Sequence, residues 1–207
     1  MARSPNAGRS KAGWLLVFIA ALVGAVLISA TSIRGRTPGT RMPDIDHGLS
    51  ARQAHTLVVA WAPEWLPDAT VVRINTTHHR VPQADGGWTF QVYSAERAAL
   101  AAVRVQDQEV SVLRETAALY PQHELPADDW RLDSSEAIQL WWENGGKAAW
   151  ERTDAEAVSL RLGLNDAGTL TWQITVTWTQ SDRLGFWEID AGSGEVITID
   201  TGGGSES

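Results

Sequence analysis

The sequence predicts an α+β fold: two helix-on-antiparallel-sheet modules in tandem behind one N-terminal transmembrane helix. Three observations carry that prediction. Residues 13–33 are an uncharged run of about 21 residues, ending in Ser29-Ala30-Thr31-Ser32-Ile33. Residues 171–179 read Thr-Trp-Gln-Ile-Thr-Val-Thr-Trp-Thr, in which Trp172, Ile174, Val176 and Trp178 point one way and Thr and Gln the other, the period of a strand with one buried face. Finally, residues 49–113 and 133–200 run through the same series: capping box, apolar helix stripe, alternating strands, closing turn.

Taken in order, residues 1–12 are short, basic and polar, and read as a cytoplasmic N-terminus. The run at 13–33 is long enough, at 1.5 Å per residue, to cross a hydrocarbon core of roughly 30 Å. Ala30-Thr31-Ser32 offers small residues that a signal peptidase reads, but the apolar run is long for the hydrophobic part of a signal peptide. A retained, single-pass anchor is the expectation. Three basic residues stand on each side of the helix, so the free amino terminus tips the orientation toward N-inside, with the C-terminal part outside the cytoplasm. Residues 34–48, with Pro38, Gly39, Pro43 and Gly48, read as a tether.

The first module, 49–113, opens on a capping box at Ser50-Ala51-Arg52-Gln53. The helix that follows places Ala54, Leu57, Val58, Trp61 and Trp65 on one stripe, and Pro63 is expected to stop or bend it. Strands are predicted at 69–75, 88–93, 99–105 and 110–113, with a turn at Asp85-Gly86-Gly87. Residues 114–132, holding Pro121 and Pro126, form the connector. The second module, 133–200, starts at Asp133-Ser134-Ser135-Glu136, and its helix ends at Gly145-Gly146. Strands follow at 157–164, around Trp172, at 184–190 and at 195–199, and residues 201–207 form a Gly/Ser tail expected to be disordered. Matching positions, from Ser50 and Asp133 to Val110 and Val196, lie 83 to 86 residues apart, a period that fits a duplicated unit.

Composition limits the function. There is no cysteine, which removes disulfides, thiolate metal sites and a cysteine nucleophile. Six of the 17 basic residues precede Pro43 and no acidic residue does, so the rest of the chain sets 11 basic against all 25 acidic residues. A globular part that acidic repels phosphate backbones, and nucleic acid is not an expected partner. Ten of the eleven tryptophans follow the membrane segment, and indoles of that number can anchor small cores.

The second module resembles a PepSY-type domain, the family named for peptidase propeptides. The residues that carry the resemblance are Asp133-Ser134-Ser135-Glu136-Ala137, Leu170-Thr171-Trp172-Gln173-Ile174-Thr175-Val176, and Phe186-Trp187-Glu188-Ile189-Asp190-Ala191-Gly192-Ser193-Gly194-Glu195-Val196, about one third of the chain. Ala191-Gly192-Ser193-Gly194 departs from the family's Thr-Gly turn, and Val105-Gln106-Asp107-Gln108-Glu109-Val110 closes the first module differently. The resemblance implies a cystatin-like helix on an antiparallel sheet, a position outside the cytoplasm, and inhibition, chaperoning or regulation of peptidases and envelope proteins. It implies no catalytic residue.

The residues capable of chemistry have simpler roles in prospect. His78 and His79 are neighbours on an extended chain and point to opposite faces, so they cannot readily share a metal. His47, His55 and His123 are isolated and expected to be solvated, as are Glu124, Asp128 and Asp129 in the Pro-bounded connector. Gly192-Ser193-Gly194 leads into a strand and not the helix of a nucleophile elbow. Tyr93 and Phe186 fall out of phase with the core and Trp130 lies in the connector, making these three the candidate aromatic platform for peptide or sugar. Thr171, Gln173, Thr175, Thr177 and Thr179 form the candidate outer face. The expected function is a membrane-anchored, non-catalytic binding or regulatory protein without a cofactor, whose partners are the membrane and an extracytoplasmic protein or peptide, a peptidase included. The alternatives are an envelope hydrolase using paired carboxylates and a self-associating envelope structural protein.

Overall fold

The structure, a computed structural model, describes residues 41–83, 86–180 and 184–201. The expected cytoplasmic N-terminus, the transmembrane helix at 13–33, most of the tether and the tail beyond Thr201 lie outside the described residues. Among the described residues no helix is long and apolar enough to cross a membrane.

Ser50 caps helix α1 (Ala51–Trp65) through a reciprocal capping box with Gln53, and the helix continues two residues past Pro63. A meander of four strands follows: β1 (Thr70–His79), β2 (Trp88–Ser94), β3 (Ala99–Gln106) and β4 (Glu109–Ala117). The connector contains one 3-10 turn at Ala127–Asp129. Asp133 then caps α2 (Ser134–Trp141) through a second capping box with Glu136. After a π turn at Trp142–Gly146 comes α3 (Lys147–Glu151), then the strands β5 (Ala155–Leu164), β6 (Leu170–Trp178), β7 (Leu184–Asp190) and β8 (Val196–Asp200).

All eight strands belong to one antiparallel sheet in the order β4-β3-β2-β1-β5-β6-β7-β8. This corrects the expected fold class. The protein is mostly β, a single wide sheet with short helices on one face, and not two cystatin-like modules with a sheet each. The cause lies in β1 and β5, which are both ten residues long and pair directly, from Ile74 with Leu162 to His79 with Ala157. Apart, each would expose a long row of unpaired backbone N–H and C=O groups; together they satisfy them. That pairing joins residues 78 to 88 positions apart and leaves no mark in local periodicity.

The core lies between the sheet and the helices. Trp88, Phe90, Ile74, Leu160, Leu162, Trp172, Ile174, Trp187 and Ile189 are fully buried on that side. Each such indole removes roughly 200 Å² from water, on the order of 5 kcal/mol as an upper estimate at about 25 cal/mol per Å². Their polar ends are satisfied in a repeated way: Trp88 Nε1 donates to the Leu49 carbonyl at 2.7 Å and Trp172 Nε1 to the Leu132 carbonyl at 2.8 Å. The two rings meet at 6.4 Å across the junction of the halves.

The helix starts meet there too. Ser50 Oγ donates to Asp133 Oδ2 at 2.6 Å, the Ala51 amide to Ser134 Oγ at 3.0 Å, and the Arg52 amide to Asp133 Oδ1 at 3.2 Å. Ser134 Oγ itself donates to Asp46. Asp133 therefore caps its own helix and, with Ser134, accepts amides from the start of the neighbouring one, so the two helix starts are tied together at the junction.

Candidate functional site

Strand alternation divides the sheet into a tryptophan side under the helices and an opposite side to which no described helix packs. At about 4.8 Å per strand, eight strands make this second face roughly 34 Å wide. Its central rows are polar except for Gly163 and Phe186: Arg73, Asn75 and Thr77 on β1, Ser159, Arg161 and Gly163 on β5, Thr171, Gln173, Thr175 and Thr177 on β6, and Phe186 and Glu188 on β7. Most are half-buried by their neighbours in the sheet.

The predicted outer face is thus one strand of a larger surface. Gln173, Thr175 and Thr177 are partly exposed on it, whereas Thr171 is buried and donates to Glu188 Oε1 at 3.0 Å. Thr179 lies past the end of β6, where its amide donates to the Asp154 carbonyl at 2.9 Å. The three aromatic candidates do not come together. Phe186 is half-buried on the helix-free face beside Thr175. Tyr93 is buried on β2, about 19 Å away by strand count. Trp130 is a core residue: its ring packs edge-on to Trp172 at 6.1 Å and its Nε1 donates to Leu132 at 2.7 Å. The connector sequence conceals this, because Trp130 is buried by the junction of the halves and not by a periodic element.

Two arginines on this face were not legible as a pair. Arg73 and Arg161 sit on neighbouring strands in diagonal register, which places such positions roughly 7 to 8 Å apart. Both Nε atoms are buried and have no hydrogen-bond partner, and no salt bridge among the described residues reaches either guanidinium. Between them lies Gly163; a Cβ there would stand 3.8 Å from Arg161 Nε and 4.0 Å from Arg73 Nε. Burial, and then the charge of Arg161, lower the pKa of the Arg73 guanidinium from its ordinary value. Glu188 is one strand further on, beyond Gln173, and forms no ion pair with either arginine; its Oε1 accepts from Thr171 and from Asn165 Nδ2 at 3.1 Å.

Of the three isolated histidines, His47 and His123 are exposed as expected and His55 is not. His55 is packed between Phe90 and Trp130, with ring centroids 6.5 and 5.5 Å away, and burial lowers its pKa. His78 Nδ1 lies 2.9 Å from the Asp44 carbonyl, beside Trp150 and His47, and its pKa is lowered chiefly by burial. With Asp44, His79, Arg80 and Gln83, His47 and His78 border a cleft of about 210 Å³. No group of three or more His, Asp or Glu among the described residues is arranged to hold a metal ion. Glu124, Asp128 and Asp129 are exposed, and Asp190 accepts the amides of Gly192 and Ser193 at 2.8 and 2.7 Å, which makes Gly192-Ser193-Gly194 a strand-to-strand turn.

No family model matches the chain, and no curated protein matches it. Among solved structures it is similar to a lipoprotein candidate of Clostridium difficile 630, at 11% identity and a TM-score of 0.43, over 71% of this chain and 91% of the other. That level of likeness carries no functional inference.

Proposed function

We propose that this chain is a non-catalytic binding or regulatory protein, held at the membrane by residues 13–33, which receives an extracytoplasmic protein or peptide on the helix-free face of its sheet. The observation that carries this reading is the content of that face: half-exposed hydroxyls, amides and one aromatic ring around two arginines that no carboxylate among the described residues pairs. Groups of that kind gain little from the fold itself and can gain hydrogen bonds and charge neutralisation from a partner. The PepSY-type motifs support a regulatory role toward peptidases or envelope proteins, and the apolar run at 13–33 supports the anchor.

The test is capture of envelope proteins by the full-length chain in detergent, comparing wild type with Gln173→Lys/Thr175→Lys and with Val112→Lys on the edge strand β4. Loss of a captured protein in the face variant alone supports the proposal. Equal capture by wild type and a folded face variant contradicts it.

Self-association is the second reading, favoured by apolar side chains exposed on both edge strands: Val112 and Leu113 on β4, Ile197 and Ile199 on β8. It predicts a molecular size that falls on dilution and falls further with Val112→Lys.

A further inference from the structure

We propose that Arg73 and Arg161 form an oxyanion-binding site on the helix-free face, taking a carboxylate or phosphate group; as the contact point for the bound partner, the site rests on the reading above.

Two like charges on neighbouring strands oppose each other, and the burial of both Nε–H groups without an acceptor adds a further cost. Among the described residues no carboxylate forms an ion pair with either arginine, and Glu188 stands one strand beyond Gln173 from Arg161. This is the more telling in an acidic protein, where 25 carboxylates were available to supply a partner. One oxyanion between the guanidiniums would answer both demands, by accepting from two forks and neutralising the repulsion. Gly163 leaves a methyl-sized space, 3.8 Å from Arg161 Nε and 4.0 Å from Arg73 Nε, into which one oxygen of the anion would reach. Its cross-strand surroundings also suit an oxyanion, because the amide side chains of Gln91, beside Arg73, and of Asn75 and Gln173, on either side of Arg161, can donate N–H groups. The face is shallow and belongs to a sheet, so the group that binds is one carried on a chain end or side chain and needs no enclosing pocket.

The site is tested by thermal unfolding of the full-length protein in detergent at pH 7, in sodium chloride, acetate or phosphate of equal ionic strength. At an anion concentration tenfold above its dissociation constant, the wild-type Tm is expected to rise by about 3 to 5 °C. Arg73→Gln and Arg161→Gln should abolish the rise, and in chloride each should melt at or above the wild-type Tm, because a repulsion has been removed. Gly163→Ala, which keeps both arginines but fills the gap with a methyl at ordinary contact distance, should lose most of the response. A rise with acetate and phosphate assigns the site to carboxylates as well as phosphates, and a rise with phosphate alone assigns it to phosphate groups. No rise with either anion, a rise that survives both arginine variants, or a chloride Tm well below wild type in both would overturn the site. These melts need no partner. An anion response without any captured protein therefore removes only the partner reading, and capture that is indifferent to Arg161→Gln, without an anion response, removes only the site.

Discussion

A methyl group at position 146 would lie 2.2 Å from the buried indole of Trp141, so Gly146→Ala has to displace a ring that the core holds in place. A loss of about 3 kcal/mol by urea unfolding is expected. Gly168→Ala is the control: nothing lies within 4 Å of the added methyl, and only the positive φ of 78° opposes it, at about 1 kcal/mol. His55 gives a pH signature. Its folded pKa is depressed by burial, so below the ordinary value near 6.5 the unfolded chain takes up a proton that the folded one resists. Stability should fall as pH drops from 7 toward 5, and His55→Gln should reduce that slope without abolishing it, because His78 is depressed in the same sense. Such roles were only partly legible. The in-phase tryptophans at 88, 172, 178 and 187 read as core and are core, whereas Trp130 and His55 owe their burial to the junction of the two halves, which no local pattern records.

At the scale of elements, the two capping boxes were readable from four residues each and both form. Their contact with each other was not readable, since it depends on how two distant helices are placed. It leads to a coupling: Ser50→Ala and Asp133→Ala each remove a cap and also the 2.6 Å hydrogen bond between them. Each single change should cost about 1 kcal/mol, and the double change should fall short of their sum by roughly 0.5 kcal/mol or more in a double-mutant cycle. The strands were legible in number and phase, but their ends were not. β1 runs to His79 and β4 to Ala117, beyond the expected limits, because pairing with β5 and with β3 extends them past their apolar stretches.

At the scale of the whole molecule, the continuous sheet joins the two halves into one body and merges two narrow outer faces into one wide surface. Unfolding should therefore follow a single transition, coincident by tryptophan fluorescence and far-ultraviolet circular dichroism, and not two separate ones. The arginine pair exists only at this scale, because Arg73 belongs to one half and Arg161 to the other. The most direct test is to cross-link the seam. Thr77 Oγ1 and Ser159 Oγ lie 2.9 Å apart across β1 and β5, and the chain has no cysteine of its own to interfere. A Thr77→Cys/Ser159→Cys variant should close an intramolecular disulfide on mild oxidation, seen as a loss of two mass units and of both free thiols. Persistence of two free thiols in the folded monomer would contradict the continuous sheet and, with it, the surface on which the proposed function rests.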